Sequence, residues 1–113
     1  MPQAVEAGGW IFVSALFGVS PVDRAIPDDA TAEAEQLFDN LEAILAAAGA
    51  RLDHVVRVGI AVRHLQRDRP AFNAVWVRRF GDHRPARSAI ESSDFGRPGE
   101  NARYMLEVSA FRG

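Results

Sequence analysis

At Gly49 the hydrophobic period of the chain changes, and that change sets the class of fold. Upstream, Leu37, Leu41, Ile44, Leu45 and Ala48 recur at three- and four-residue spacing, which lines them along one stripe of an α-helix. Downstream, from His54 to Leu65, Val56, Val58, Ile60 and Val62 recur at every second residue and so share one face of a β-strand, with Arg57, Gly59, Ala61 and Arg63 on the other. An amphipathic helix feeding a one-faced strand needs a layered α+β domain, because each element must bury its apolar side against the other.

The remaining segments extend this pattern. Asp28 or Asp29 can cap the first helix, Glu33 and Glu35 place negative charge in its first turns, and Gly49 stands where a left-handed C-terminal residue belongs. A hairpin is expected over Ala4 to Ala15, turning at Gly8-Gly9, and a connection over Phe17 to Pro27. A second helix runs from about Arg69 or Pro70 to its stop at Gly81 and buries Phe72, Val75, Trp76 and Phe80. Two further strands, Arg87 to Ser92 and Ala102 to Phe111, flank a loop whose Gly96-Arg97-Pro98-Gly99 reads as a hairpin connection. The order is therefore β-β-α-β-α-β-β, with two helices on one face of a mixed sheet. The small residues and long arginine stems on the strand's other face suit packing against another subunit.

Composition narrows the function classes. With 113 residues the chain supplies one core, so residues 1–113 form one domain. A net charge of −2 and a pI near 5.9 leave no footprint for nucleic-acid phosphates or an anionic membrane, so neither is an expected partner. The local cluster Arg78, Arg79, Arg84 and Arg87 lacks the interleaved exposed aromatics of a strand-tracking groove. The absence of cysteine excludes disulfides, thiolate nucleophiles and zinc-thiolate sites. His54, His64 and His83 lack short ligand spacing, so no metal and no cofactor are expected. Neither a leader-like start nor a spanning apolar run is seen, which makes a cytoplasmic location the expectation.

Three blocks, in order and spacing, carry a resemblance. The first runs from Leu37-Phe38-Asp39-Asn40-Leu41 to Ala47-Ala48-Gly49 and on through Leu52-Asp53-His54-Val55-Val56. The second is Phe72-Asn73-Ala74-Val75-Trp76 through Phe80, and the third is His83-Arg84-Pro85-Ala86-Arg87-Ser88-Ala89. Together with Gln3-Ala4-Val5, Gly9 and Val13-Ser14 upstream, and Glu107 downstream, they resemble the RidA/YjgF family, also called endoribonuclease L-PSP. The resemblance implies a chorismate-mutase-like fold, a homotrimer with sites in the clefts between subunits, and hydrolysis of reactive enamines or imines.

It also implies roles for particular residues. Arg87 matches the family arginine that holds a substrate carboxylate; a guanidinium offers a planar fork of donors suited to that group, and the alternative is a surface or interface ion pair. Asn73 matches a family asparagine near the site and can orient water or a polar substrate group, or else stands exposed on its helix. Glu107 matches a family glutamate and can act as acid or base, or else forms a structural ion pair.

The chain also departs from the family pattern. The family's tyrosine before Ser-Gln-Ala has no counterpart, and its Ser-Gly-Gln-Ile-Pro reads Ser14-Ala15-Leu16-Phe17-Gly18 here. Its Glu-x-Glu, whose first carboxylate positions the attacking water, reads Met105-Leu106-Glu107. Glu107 lies about 6.6 Å further along the strand and cannot occupy that place.

The expectation is thus a deaminase-like hydrolase for small imino or enamine carboxylic acids. Arg87 is the clamp, Glu107 a catalytic candidate, and Asn73, Ala15, Leu16, Phe17 and Met105 are binding residues. Two alternatives stand beside it: a non-catalytic homologue that binds small carboxylates, and a pathway-specific enzyme tuned to an apolar or aromatic carboxylate.

Overall fold

The computed structural model describes residues 4–96 and 101–113. In chain order it contains β1 (Ala4–Ala7), β2 (Trp10–Leu16), α1 (Ala30–Ala47), a single 3-10 turn (Leu52–His54), β3 (Val55–Val62), α2 (Leu65–Phe80), β4 (Ala86–Glu91) and β5 (Tyr104–Phe111). The five strands form one sheet ordered β1-β2-β5-β3-β4. β4 runs parallel to β3 and every other pairing is antiparallel, so the sheet is mixed.

Both helices pack on one face, over a core that includes Ile11, Leu37, Phe38, Leu41, Val58, Ile60, Phe72, Leu106 and Val108. The α1 stripe turns inward as its period requires, with Leu37, Leu41 and Leu45 fully buried. Asp29 caps the helix by accepting from the Ala32 N–H at 3.0 Å, and Gly49 takes a φ of 74° just past its end. Gly18 allows a close approach instead: a Cβ there would lie 2.6 Å from the Glu33 carbonyl oxygen.

Three expectations need correcting. Helix α2 begins at Leu65, not near Pro70, because its first N–H is capped from far away: Glu91 Oε1, at the end of β4, accepts from Leu65 N at 3.0 Å. Pro70 therefore sits inside the helix, where its ring withholds one hydrogen bond. Val56 is exposed, because the register against β5 shifts between Val55 and Arg57 and turns Val55 into the core in its place. The segment between β4 and β5 is not a hairpin connection, since β3 lies between those two strands in the sheet. Met1, Pro2, Gln3, Arg97, Pro98 and Gly99 lie outside the described residues. Among the described residues no helix is long and apolar enough to cross a membrane.

Candidate functional site

The alternation of β4 decides where Arg87 goes. Arg87 pairs with Val58 and Ala89 with Ile60, so both point to the helix-covered face. Because β4 is the edge strand, Arg87 reaches the rim of the core, not its centre. There its guanidinium lies 4.7 Å from the ring centroid of Trp76 and 5.9 Å from that of Phe72. Its Nη2 donates to Asn73 Oδ1 at 2.6 Å. Two residues singled out from the sequence, on α2 and β4, are thus brought into direct contact.

The electrostatics of this contact are unusual for an arginine. Arg87 is partly buried, and among the described residues no carboxylate pairs with it. Burial, reinforced by the nearby positive charge of Arg69, holds its pKa below the usual arginine value. An amide oxygen and two aromatic faces fix the fork without neutralising it, which leaves the site complementary to a small anion.

The other predicted residues are distributed differently. Glu107 pairs with Gly59 and Met105 with Ala61, so both face the sheet side opposite the helices. Glu107 is exposed, has no ion-pair partner among the described residues, and sits across the sheet from Arg87. Leu16 is 2% exposed and belongs to the core, while Ala15 is exposed. Phe17 is buried against Phe95, with ring centroids 6.4 Å apart. Within one chain, then, Met105 lies on the opposite face of the sheet from Arg87, and Leu16 and Phe17 are buried.

Two further residues were not singled out from the sequence. Asn40 on α1 donates to the carbonyls of Phe17 at 3.0 Å and Val19 at 2.9 Å, which fixes the segment after β2. Its only sequence signal was its place in the first resemblance block. Arg69 lies one helical turn before Asn73, on the same side of α2, and no motif marks it. A cleft of about 230 Å³ lies elsewhere, between Ile26, Arg63, His64, Arg67 and Arg103. It contains none of the predicted residues, and its Arg67 and Arg103 are paired with Asp68 and Glu33. Among the described residues no cluster of histidines and carboxylates could hold a metal ion.

Comparisons with known proteins agree with the fold. The family model for endoribonuclease L-PSP matches residues 2–109. The Escherichia coli K12 protein named 2-iminobutanoate/2-iminopropanoate deaminase is 35% identical over 92 residues, covering 79% of this chain and 71% of that protein. The mitochondrial protein MMF1 of Saccharomyces cerevisiae is 31% identical over 88 residues, 78% of this chain but only 60% of that protein's length. The crystal structure of the E. coli YjgF gene product superposes with a TM-score of 0.90 at 30% identity, covering 100% of this chain and 88% of that one. A sheet and helix pair shared across the whole chain, with a family match over nearly all its residues, leads to one conclusion: this chain belongs to the RidA/YjgF, or endoribonuclease L-PSP, family.

Proposed function

We propose that this protein hydrolyses small imino or enamine carboxylic acids, with Arg87 holding the substrate carboxylate. The observation that carries the reading is the Arg87 guanidinium itself, seated on Trp76, bonded to Asn73 and lacking any described carboxylate partner. The E. coli relative's name, a deaminase of 2-iminobutanoate and 2-iminopropanoate, supports the substrate class.

An iminium carbon is already electrophilic, so orienting it is a large part of what water attack requires. Arg87 supplies that orientation through a two-point grip on the carboxylate. Met105, where family enzymes carry a glutamate, offers no proton acceptor, so turnover rests on positioning more than on general-base help. Glu107 enters only if a neighbouring subunit brings its face of the sheet to an Arg87.

The same reading takes the protein as a homotrimer with sites between subunits. It is supported by the uncovered sheet face, where Trp10, Phe12 and Phe111 stand exposed by 36%, 45% and 42%. Solution scattering should return three times the chain mass.

The activity is tested by generating 2-iminobutyrate in situ and following its disappearance. Wild type should exceed the buffer rate and Arg87→Ala should not. A wild-type rate equal to buffer would sink the hydrolase reading, and calorimetry with 2-oxobutyrate would then decide for the binding-only homologue.

A further inference from the structure

Arg69, Asn73 and Trp76 are spaced four and then three residues along α2, which places them on one side of the helix. Asn73 and Trp76 are two of the groups that hold Arg87. Arg69 therefore stands at the exposed end of the same stripe, near enough for its positive charge to act on Arg87.

Its isolation is specific. Of the four arginines on α2, Arg67 is paired with Asp68, Arg78 with Glu35, and Arg79 with Glu35, Asp39 and Glu42. Arg69 alone has no carboxylate partner among the described residues. The positive charge of Arg69 also acts on Arg87, as a smaller cause than burial, in lowering its proton affinity. Two neighbouring cations without a counter-charge repel, and a ligand with two negative groups relieves that repulsion better than a ligand with one.

We propose that Arg69 selects for a second negative charge: the site takes a small dianion, a 2-imino or 2-oxo dicarboxylate, with one carboxylate on Arg87 and the other on Arg69. The inference rests on the reading of Arg87 as the carboxylate clamp and adds the charge class of the substrate. A single carboxylate would engage Arg87 and leave Arg69 facing water. The second carboxylate of a four- or five-carbon acid extends toward the exposed end of the stripe, where solvent screening keeps its contribution moderate.

The test is calorimetry on the full-length protein with 2-oxobutyrate and 2-oxoglutarate, for wild type, Arg69→Gln and Arg87→Ala, with scattering to verify assembly. Wild type should bind 2-oxoglutarate about fivefold more tightly than 2-oxobutyrate, and the ratio should shrink as salt rises. In Arg69→Gln the ratio should fall to about one. Equal affinities in wild type, a ratio that survives Arg69→Gln, or a variant that changes only the assembled mass would each overturn the dianion assignment. Those outcomes leave the clamp intact if 2-oxobutyrate still binds wild type and is lost in Arg87→Ala. Loss of neither ligand in Arg87→Ala removes the clamp and the inference with it. Rates with 2-iminobutyrate and 2-iminoglutarate, generated in situ, should follow the same ratio.

Discussion

Arg79 and Arg87 rest on different rings of one aromatic cluster, and their surroundings differ in the one respect that matters. Arg79 lies 5.8 Å from the centroid of Phe38 and Arg87 lies 4.7 Å from that of Trp76, while Phe38 and Trp76 touch each other edge to face. Around Arg79, the carboxylates of Glu35, Asp39 and Glu42 are presented by α1 at 3.0, 2.7 and 2.5 Å. Around Arg87, besides the rings, the described residues bring the Asn73 amide and a second cation but no paired carboxylate. Partial burial and ring stacking are common to both, so neither distinguishes a binding arginine from a structural one. The partner charge is what differs: Arg79 joins α1 to α2 through carboxylates, whereas no described carboxylate neutralises Arg87.

Arg103 extends the structural side of this comparison and gives the largest expected effect. Glu33, fully buried, accepts from Arg103 Nη1 at 2.9 Å and from the backbone N–H groups of Arg103 at 2.8 Å and Tyr104 at 3.3 Å. Glu33→Ala leaves the backbone N–H groups of Arg103 and Tyr104 without an acceptor and the Arg103 guanidinium, still bonded to the carbonyls of Pro27 and Asp28, without its carboxylate; it should lower unfolding free energy by about 3–5 kcal/mol in urea titrations. A loss below about 1 kcal/mol would show that this pair is replaceable by water.

Next in size is Arg87→Ala. Removing a charge-assisted grip on a carboxylate should reduce kcat/KM for 2-iminobutyrate by about 100-fold, while unfolding free energy changes by about 1 kcal/mol through the lost stacking. The opposite pattern, a stability loss with intact rates, would put Arg87 in the same class as Arg79. Arg79→Ala should do the converse: a loss of about 1 kcal/mol, moderated by solvent at its exposed partners, with imine turnover unchanged.

The smallest effect is a pair of opposing pH slopes. Burial raises the Glu33 pKa despite the bonds from Arg103, so the folded state binds its proton more tightly and stability from this group falls as pH rises above about 4.5. Glu35 behaves inversely: burial opposes ionisation, but the bonds from Arg78 and Arg79 outweigh it and lower the pKa. Its contribution is present above the unfolded value and lost as pH falls through the folded one. Denaturation midpoints against pH should therefore lose a falling component in Glu33→Gln and a rising one in Glu35→Gln. Identical profiles for the two variants would contradict the assignment.

Much of this architecture was legible along the chain, because local chemistry decides it. The α1 stripe, the Asp29 cap, the Gly49 stop, the alternation of Val58, Ile60 and Val62, and the inward face of α2 depend on residues a few positions apart, and period and capping report them directly. The contact between Asn73 and Arg87 was legible only as two separate residues of a family pattern, since nothing local links α2 to β4.

Three-dimensional packing decided the rest, for reasons of distance along the chain. The start of α2 depends on Glu91, which is 26 residues from Leu65. The exposure of Val56 depends on how β3 registers against β5, and the connection after β4 depends on β3 standing between the last two strands. The same pleat that sends Arg87 to the helices sends Glu107 and Met105 to the opposite face, so residues grouped by motif are separated by the thickness of a sheet. Whether an arginine is neutralised is likewise a property of what the fold lays beside it: α1 brings three carboxylates to Arg79, and no described element brings one to Arg87 or Arg69.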